Sequence, residues 1–263
     1  MIVLKSEKEI EAMRESSRIV AQVLADLRPM VEPGITTKDL DTFAERKARE
    51  MGAIPAFKGY RGYPASLCTS INEEIIHGIP SSRKLREGDI IGLDFGVVYD
   101  GYYGDAAVTY PVGKVSPEAT RLIKAAKDAF FKGFEQIREG NRISDISHAI
   151  QNSVERGGFS VIRAFVGHGI GMSLHEEPQI PNFGPPGRGP KIRIGLVIAI
   201  EPMIAAGDWD IEIKKDNWTA MTKDRSLSSH YEHTVALTAR GAEILSTLEK
   251  ENLPYATKEL PHA

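Results

Sequence analysis

Apolar residues recur along this chain with two periods, and the change of period marks its elements. Ile10, Met13, Val20, Leu24 and Leu27 follow helical spacing behind Ser6-Glu7-Lys8-Glu9, which reads as a capping box. A first amphipathic helix is predicted up to Pro29. A second runs from about Thr37 to Met51, with Leu40, Phe43, Ala44 and Met51 inward and Gly52 as its stop. Ser116-Pro117-Glu118 opens a third, because proline at the first helical position loses no hydrogen bond. The fourth runs from about Ser144 to Gly157-Gly158. Strand-like runs lie between and after the helix pairs, and Asp100-Gly101 is a strong signal for a two-residue hairpin turn.

The pattern repeats. An offset of 106 residues brings Gly34 onto Gly140, Asp39 onto Asp145, Leu40 onto Ile146 and Gly52 onto Gly158. An offset of 107 aligns the run Leu85 to Asp94 with Ile192 to Glu201, and His77-Gly78-Ile79 is echoed by His168-Gly169-Ile170. Short apolar strands that match by chance would not also set a carboxylate at the same step of each copy. A single domain over residues 1–263 is expected, α+β in class and internally duplicated over approximately 6–110 and 112–240. Its halves face each other across a pseudo-twofold axis, with a ligand cleft between them.

Composition removes several classes. The 263 residues carry 33 basic and 36 acidic side chains, a net charge of −3, and are 41% hydrophobic. That argues against disorder and gives no electrostatic footprint for nucleic acid. The longest aliphatic run, Leu196 to Ile200, is far short of a membrane span, and charges begin at Lys5, leaving no apolar core for a signal peptide. The single cysteine, Cys68, excludes an internal disulfide and a multi-cysteine zinc site. A cytoplasmic protein is expected.

Chemistry enters through acids placed where solvated charge has no place. Asp94 interrupts the apolar run from Ile90 to Val98. Counting outward from the Asp100-Gly101 turn pairs Tyr99 with Tyr102 and Gly96 with Asp105, so Asp94 and Asp105 become diagonal neighbours on one face. Glu201 occupies the place of Asp94 in the repeated strand, Glu232 lies in Tyr231-Glu232-His233-Thr234, and His168 is flanked by Gly167 and Gly169. Any one of these acids could instead form a buried ion pair with Arg or Lys. Four carboxylates with one imidazole make a hard, oxygen-rich set that suits a pair of Mn²⁺, Fe²⁺, Co²⁺ or Zn²⁺ ions. His175-Glu176-Glu177-Pro178 does not continue as a helical His-Glu-x-x-His zinc motif, since Gln179 stands where the second histidine belongs.

With Asp94, Asp105, His168, Glu201 and Glu232 in this order, together with His77-Gly78-Ile79-Pro80 and the stretch from His168 to Pro178, the chain resembles the type I methionine aminopeptidases in their short bacterial form. The resemblance spans nearly the whole chain. It implies the duplicated "pita-bread" fold, an antiparallel sheet covered by two helix pairs. It also implies two divalent ions, bridged by water or hydroxide and held by Asp94, Asp105, His168, Glu201 and Glu232. Glu201 would act as general base and then acid, His175 would stabilise the developing oxyanion or polarise the carbonyl, and His77 would contact the scissile amide or the residue beyond it. The methionine pocket would be lined by Tyr60, Tyr63, Cys68 and Trp218. The implied partners are the N-termini of nascent polypeptides at the ribosome, met by a monomer that contacts neither nucleic acid nor membrane. Two departures from the family pattern are Leu174, where an aromatic residue is frequent, and Asn217, where a turn glycine is usual. The rival readings are a proline-specific peptidase of the same fold and an inactive pita-bread protein used for binding.

Overall fold

The computed structural model describes residues 1–248. The remaining positions, 249–263, were assigned to the same domain by sequence and lie outside the described residues. Helix α1 (Glu7–Leu27) begins where Ser6 caps it. The Ser6 side chain accepts from the Glu9 backbone N–H, while the Glu9 carboxylate accepts from the Ser6 N–H at 2.7 Å. A short 3-10 turn, Arg28–Met30, ends it at the proline. Thr36 and Asp39 form the same reciprocal cap on α2 (Thr37–Glu50). Met51, placed inside that helix by sequence, is its C-cap instead, and Gly52 turns the chain out at φ +79°. Helices α3 (Pro117–Phe134) and α4 (Ile143–Arg156) follow as expected, α4 starting one residue early.

The strands are β1 (Ile54–Pro55), β2 (Leu67–Ile71), β3 (Glu74–Ile76), β4 (Ile90–Tyr99), β5 (Tyr102–Pro111), β6 (Ser160–Val161) and β7 (Val166–Gly169) in the first part of the chain. They continue as β8 (Glu176–Pro181), β9 (Val197–Ile200), β10 (Met203–Ala205), β11 (Ile211–Ile213), β12 (Ala220–Thr222), β13 (Ser228–Thr238) and β14 (Gly241–Ile244). The main sheet runs β1-β4-β5-β13-β9-β7-β8, and every pairing along it is antiparallel. β2 adds to β4, β10 and β14 add to β13, and a small sheet β11-β12-β3 stands apart.

The 107-residue offset aligns β4 with β9, and these flank β5 and β13 symmetrically in the sheet, so the pseudo-twofold axis of this pita-bread fold passes between β5 and β13. One apolar core joins α1 and α2 to β4 and β5 through Leu27, Leu40, Leu93 and Phe95. A second joins α3 and α4 to β9 and β13 through Leu122, Phe130, Ile150 and Val235. Between them lies a third cluster with Tyr63, Cys68, Ile170 and Leu174. The site opens there.

One equivalence read from sequence does not hold in the ladders. His168 stands opposite Ala199, the counterpart of Gly92, and Gly92 stands opposite Ser70. The position matching His168 is therefore Ser70. His77 belongs to the segment after β3, and its His-Gly-Ile is a likeness of letters only.

Phe95 and Phe130 are both fully buried, one in each half's core. Truncating either to alanine should cost about 3–5 kcal/mol. If the chain is one cooperative domain, both variants should lower the same single urea transition. Two separate transitions, each sensitive to one variant, would divide the halves.

Candidate metal centre and substrate pocket

The β4–β5 hairpin turns through Asp100 at φ +49° and Gly101 at φ +80°, the left-handed pair that a two-residue turn of this type needs. Its register pairs Tyr99 with Tyr102, Gly96 with Asp105 and Asp94 with Ala107. On the other side of β5, Ala107 pairs with Glu232 of β13. Asp94, Ala107 and Glu232 thus form one row across three strands, and directly paired side chains share a face. Only a methyl group separates the two carboxylates, and that leaves room for an ion. Asp105 projects from the same face two residues along β5.

Each donor's backbone is fastened. The Asp105 N–H donates to Thr234 Oγ1 at 3.0 Å, and the Thr234 hydroxyl donates back to the Asp105 carbonyl at 2.8 Å. Glu201 follows directly on β9, and the fully buried Asn182 donates its amide to the Glu201 carbonyl at 2.9 Å. His168 lies in β7 between two glycines for a steric reason. A Cβ on Gly167 would stand 2.5 Å from the Ala199 carbonyl oxygen, and one on Gly169 would stand 2.3 Å from that of Glu177. His168 Nδ1 is 2.9 Å from the Gly169 carbonyl oxygen. An N–H there leaves the Nε2 lone pair facing Glu201 Oε1 at 3.6 Å.

Electrostatics make this cluster costly without a cation. Asp105, Glu201 and Glu232 are 4%, 9% and 2% exposed. Burial pushes the Asp94 carboxyl up to about 7. Burial raises Asp105 and Glu201 well above the usual carboxylate range, and the charge of Asp94 adds to both. For Glu232, burial is joined by Asp105 and then Glu201. The imidazoles shift the other way, His168 and His77 down to about 4 and His230 to about 3, in each case mainly through burial. Among the described residues, the ion pairs of Glu201 and Glu232 are with histidine alone, and no Lys or Arg pairs with any of the four acids. The ion-pair alternative for these acids is therefore not what the fold builds.

Asp94 Oδ1, Asp105 Oδ1 and His230 Nε2 are buried without a hydrogen-bond partner. Two overlapping triads, Asp105-His168-Glu232 and Asp94-His230-Glu232, bring their donor atoms within 4.8 Å of one another. Unpartnered oxygens and imidazole nitrogens converging at this range fit a divalent cation of hard to borderline character.

The cluster floors a cavity of about 170 Å³ lined by every site residue named from the sequence: Tyr60, Tyr63, Cys68, His77, Asp94, Asp105, His168, His175, Glu201, Trp218 and Glu232. Tyr63 meets Trp218 edge-on at 5.2 Å between ring centroids, and His77 meets it at 6.3 Å. Tyr60 Oη lies 2.8 Å from His175 Nδ1, and the His175 ring is 4.3 Å from that of His168. Partial burial lowers the His175 pKa, and the nearby Arg61 charge lowers it further. Burial and then Asp94 push the Cys68 thiol up, so it stays protonated and serves as wall. Both departures noted in the sequence are accommodated, Leu174 as buried lining and Asn217 at φ +62°.

Sequence reasoning missed Phe57 and Arg61 in the lining, Asn182 behind Glu201, and His230. His230 carried a usable signal, since it precedes Glu232 by two residues on one strand. Asn182 lies in a loop and carried none.

A model of the metallopeptidase family M24 matches residues 11–239. The methionine aminopeptidase of Clostridium acetobutylicum is 52% identical over 95% of this chain and 100% of its own. Methionine aminopeptidase 1 of Bacillus subtilis is 49% identical over 94% and 99%. The crystal structure of the methionine aminopeptidase from Thermotoga maritima superposes with a TM-score of 0.92 at 46% identity, covering 94% of this chain and all of that one. The prolidase of Pyrococcus furiosus shares the fold at a TM-score of 0.76 and 21% identity, with this chain spanning 66% of its length. The site and the family together define a metal-dependent hydrolase. The chain belongs to metallopeptidase family M24 and, within it, to the methionine aminopeptidases.

The raised carboxylates generate a stability prediction. Asp94 titrates at about 7 in the folded chain against 3.8 ordinarily. The folded state therefore holds more protons than the unfolded one across that interval, and the metal-free protein should lose stability as pH rises through it. The lowered imidazoles act the other way below about pH 6.5, so calorimetry of metal-stripped protein should give a higher Tm near pH 6.5 than near pH 8, and added Mn²⁺ should raise Tm more at the higher pH. A metal-free Tm that climbs from pH 6.5 to 8 would contradict the packing of these acids.

Proposed function

We propose that this chain removes the N-terminal methionine from peptides and nascent proteins by metal-assisted hydrolysis of the first amide bond. The observation that carries the reading is a cluster of four carboxylates, three of them buried and Asp94 half-buried, with a buried imidazole, unpaired by Lys or Arg among the described residues, at the floor of an aromatic cavity. Asp94, Asp105, His168, Glu201 and Glu232 hold two divalent ions, of Co²⁺, Mn²⁺, Fe²⁺ or Zn²⁺. When bound, such ions supply an activated water at neutral pH and polarise the substrate carbonyl.

The chain's own groups do the rest. The Glu201 carboxylate, beside the ion positions at the cavity floor, would take a proton from the attacking water and return it to the leaving amine. If the Tyr60 hydroxyl donates to His175 Nδ1, the imidazole carries its proton on Nε2 and can donate it to the developing oxyanion. His77, held at φ +60° where non-glycine residues are uncommon, contacts the scissile amide or the residue beyond it and so favours small second residues. Tyr60, Tyr63, Cys68 and Trp218 enclose the methionine side chain, since a thioether packs favourably against aromatic rings.

The same reading treats residues 6–110 and 112–240 as two copies within one catalytic domain, working as a monomer in the cytoplasm on chains emerging from the ribosome. No helix among the described residues is long and apolar enough to cross a membrane.

Asp94→Asn and Glu201→Gln should each lower kcat/KM for a Met-Ala-Ser peptide by orders of magnitude while circular dichroism stays unchanged. Chelator should abolish turnover, and Mn²⁺, Fe²⁺ or Co²⁺ should restore it; full activity in thoroughly stripped protein would sink the reading. Peptides beginning Met-Gly, Met-Ala or Met-Ser should be cut well, and Met-Lys, Met-Phe or N-acetylated peptides poorly. Trp218→Ala should lower kcat/KM for methionine peptides and leave metal content unchanged. Equal cleavage of proline and methionine substrates would favour the proline-specific alternative.

A further inference from the structure

His230 has no role in the chemistry above, yet it lies inside the carboxylate cluster. It precedes Glu232 by two residues on β13, and strand alternation turns both side chains to one face. It is 4% exposed. Thr109 fixes its backbone on both sides: the His230 N–H donates to Thr109 Oγ1 at 3.0 Å, and the Thr109 hydroxyl donates to the His230 carbonyl at 2.8 Å. The ring therefore cannot drift from the cluster.

Its Nε2 is buried without a hydrogen-bond partner. That atom lies 3.5 Å from Glu232 Oε2 and 3.9 Å from Glu201 Oε2. A hydrogen bond between nitrogen and oxygen spans about 2.7–3.2 Å. Two donors each about 2.1 Å from one ion, at 90–110° to each other, stand roughly 3.0–3.4 Å apart. The spacing to Glu232 is closer to that of two ligands than to that of a hydrogen bond. His168 Nε2 and Glu201 Oε1 keep the same spacing, 3.6 Å, on the other side of the cluster.

We propose that His230 Nε2 is a further metal ligand, completing with Asp94 and Glu232 one of the two ion positions, so that each divalent ion is held by one imidazole. The proposal rests on the two-ion reading above. Without His230, the donors at that position would be oxygens alone, which suit Mn²⁺; an added imidazole nitrogen moves the preference toward Co²⁺ and Zn²⁺.

Metal-stripped full-length protein titrated calorimetrically with Co²⁺ tests it. Wild type should take up two equivalents. His230→Gln and His230→Ala should keep the tighter ion at wild-type affinity and bind the other at least about 10-fold more weakly, the lower end of what losing an outer-shell partner alone costs. X-ray absorption at the cobalt edge of protein loaded with two equivalents should show the imidazole count fall from one per ion to one per two ions. With Mn²⁺ the loss should be smaller than with Co²⁺. Wild-type affinity for both ions in both variants would overturn the proposal, as would equal weakening of both ions, the mark of a structural role. If wild type itself takes up a single ion, it is the two-ion reading that fails.

Discussion

Four carboxylates crowded into a poorly hydrated space repel one another, and the fold is organised around preventing their escape. Two unit charges 4 Å apart interact by about 4 kcal/mol at an effective dielectric constant near 20. Side chains free to rotate would relieve that by turning outward. Here the backbones that carry them are locked, Asp94 and Asp105 by the β4–β5 ladder, Asp105 again by Thr234, and Glu201 by Asn182. With the backbones fixed and three of the carboxylates buried, holding protons or binding cations relieves the repulsion. The raised pKa values express the first, and the unpartnered Asp94 and Asp105 oxygens favour the second.

The pseudo-twofold arrangement explains how one sheet can supply such a cluster. β5 and β13 are central neighbours, so each half brings its acids to the seam without crossing the other's core. Asp94 and Asp105 come from the first half, Glu201 and Glu232 from the second. Ala107, in the row between Asp94 and Glu232, is as important as the acids. A larger side chain there would fill the space where the charges converge.

Much of this was legible in the sequence because the decisive contacts there are local. Asp100-Gly101 fixes its own register, and the register fixes the Asp94–Asp105 diagonal eleven residues apart. The capping box at Ser6 sets a helix start for the same reason. Glu201 was visible through repetition rather than locality. What stayed hidden depends on contacts between segments distant in the chain. Asn182 reaches Glu201 from a loop, and Arg61 reaches the cavity only because the turn after β1 folds over it. The likeness of His77 to His168 misled for a related reason, since letters align by order and ladders align by hydrogen bonding.

Ladder geometry also bears on how the proposed reaction could be confined to a chain terminus. Cys68 of β2 stands directly opposite Asp94 of β4, and paired side chains on one face lie about 4.5–5.5 Å apart at Cβ. The apolar wall and the acid cluster are thus neighbours within a single ladder rung. A methionine side chain seated against Cys68, Tyr63 and Trp218 brings its own α-amine and carbonyl to the carboxylates. A residue within a chain would have to drive a further length of peptide into the same floor. The groups expected to touch the substrate carbonyl hang instead from the mouth, yet they are tied down as well. Lys5 pairs with Glu176, next to His175, and the Lys5 N–H donates to the Gly195 carbonyl at 2.7 Å, so the N-terminal segment braces the turn that carries His175. Rigid strands hold the charge, and a braced turn presents the proton donor to whatever enters from the open side.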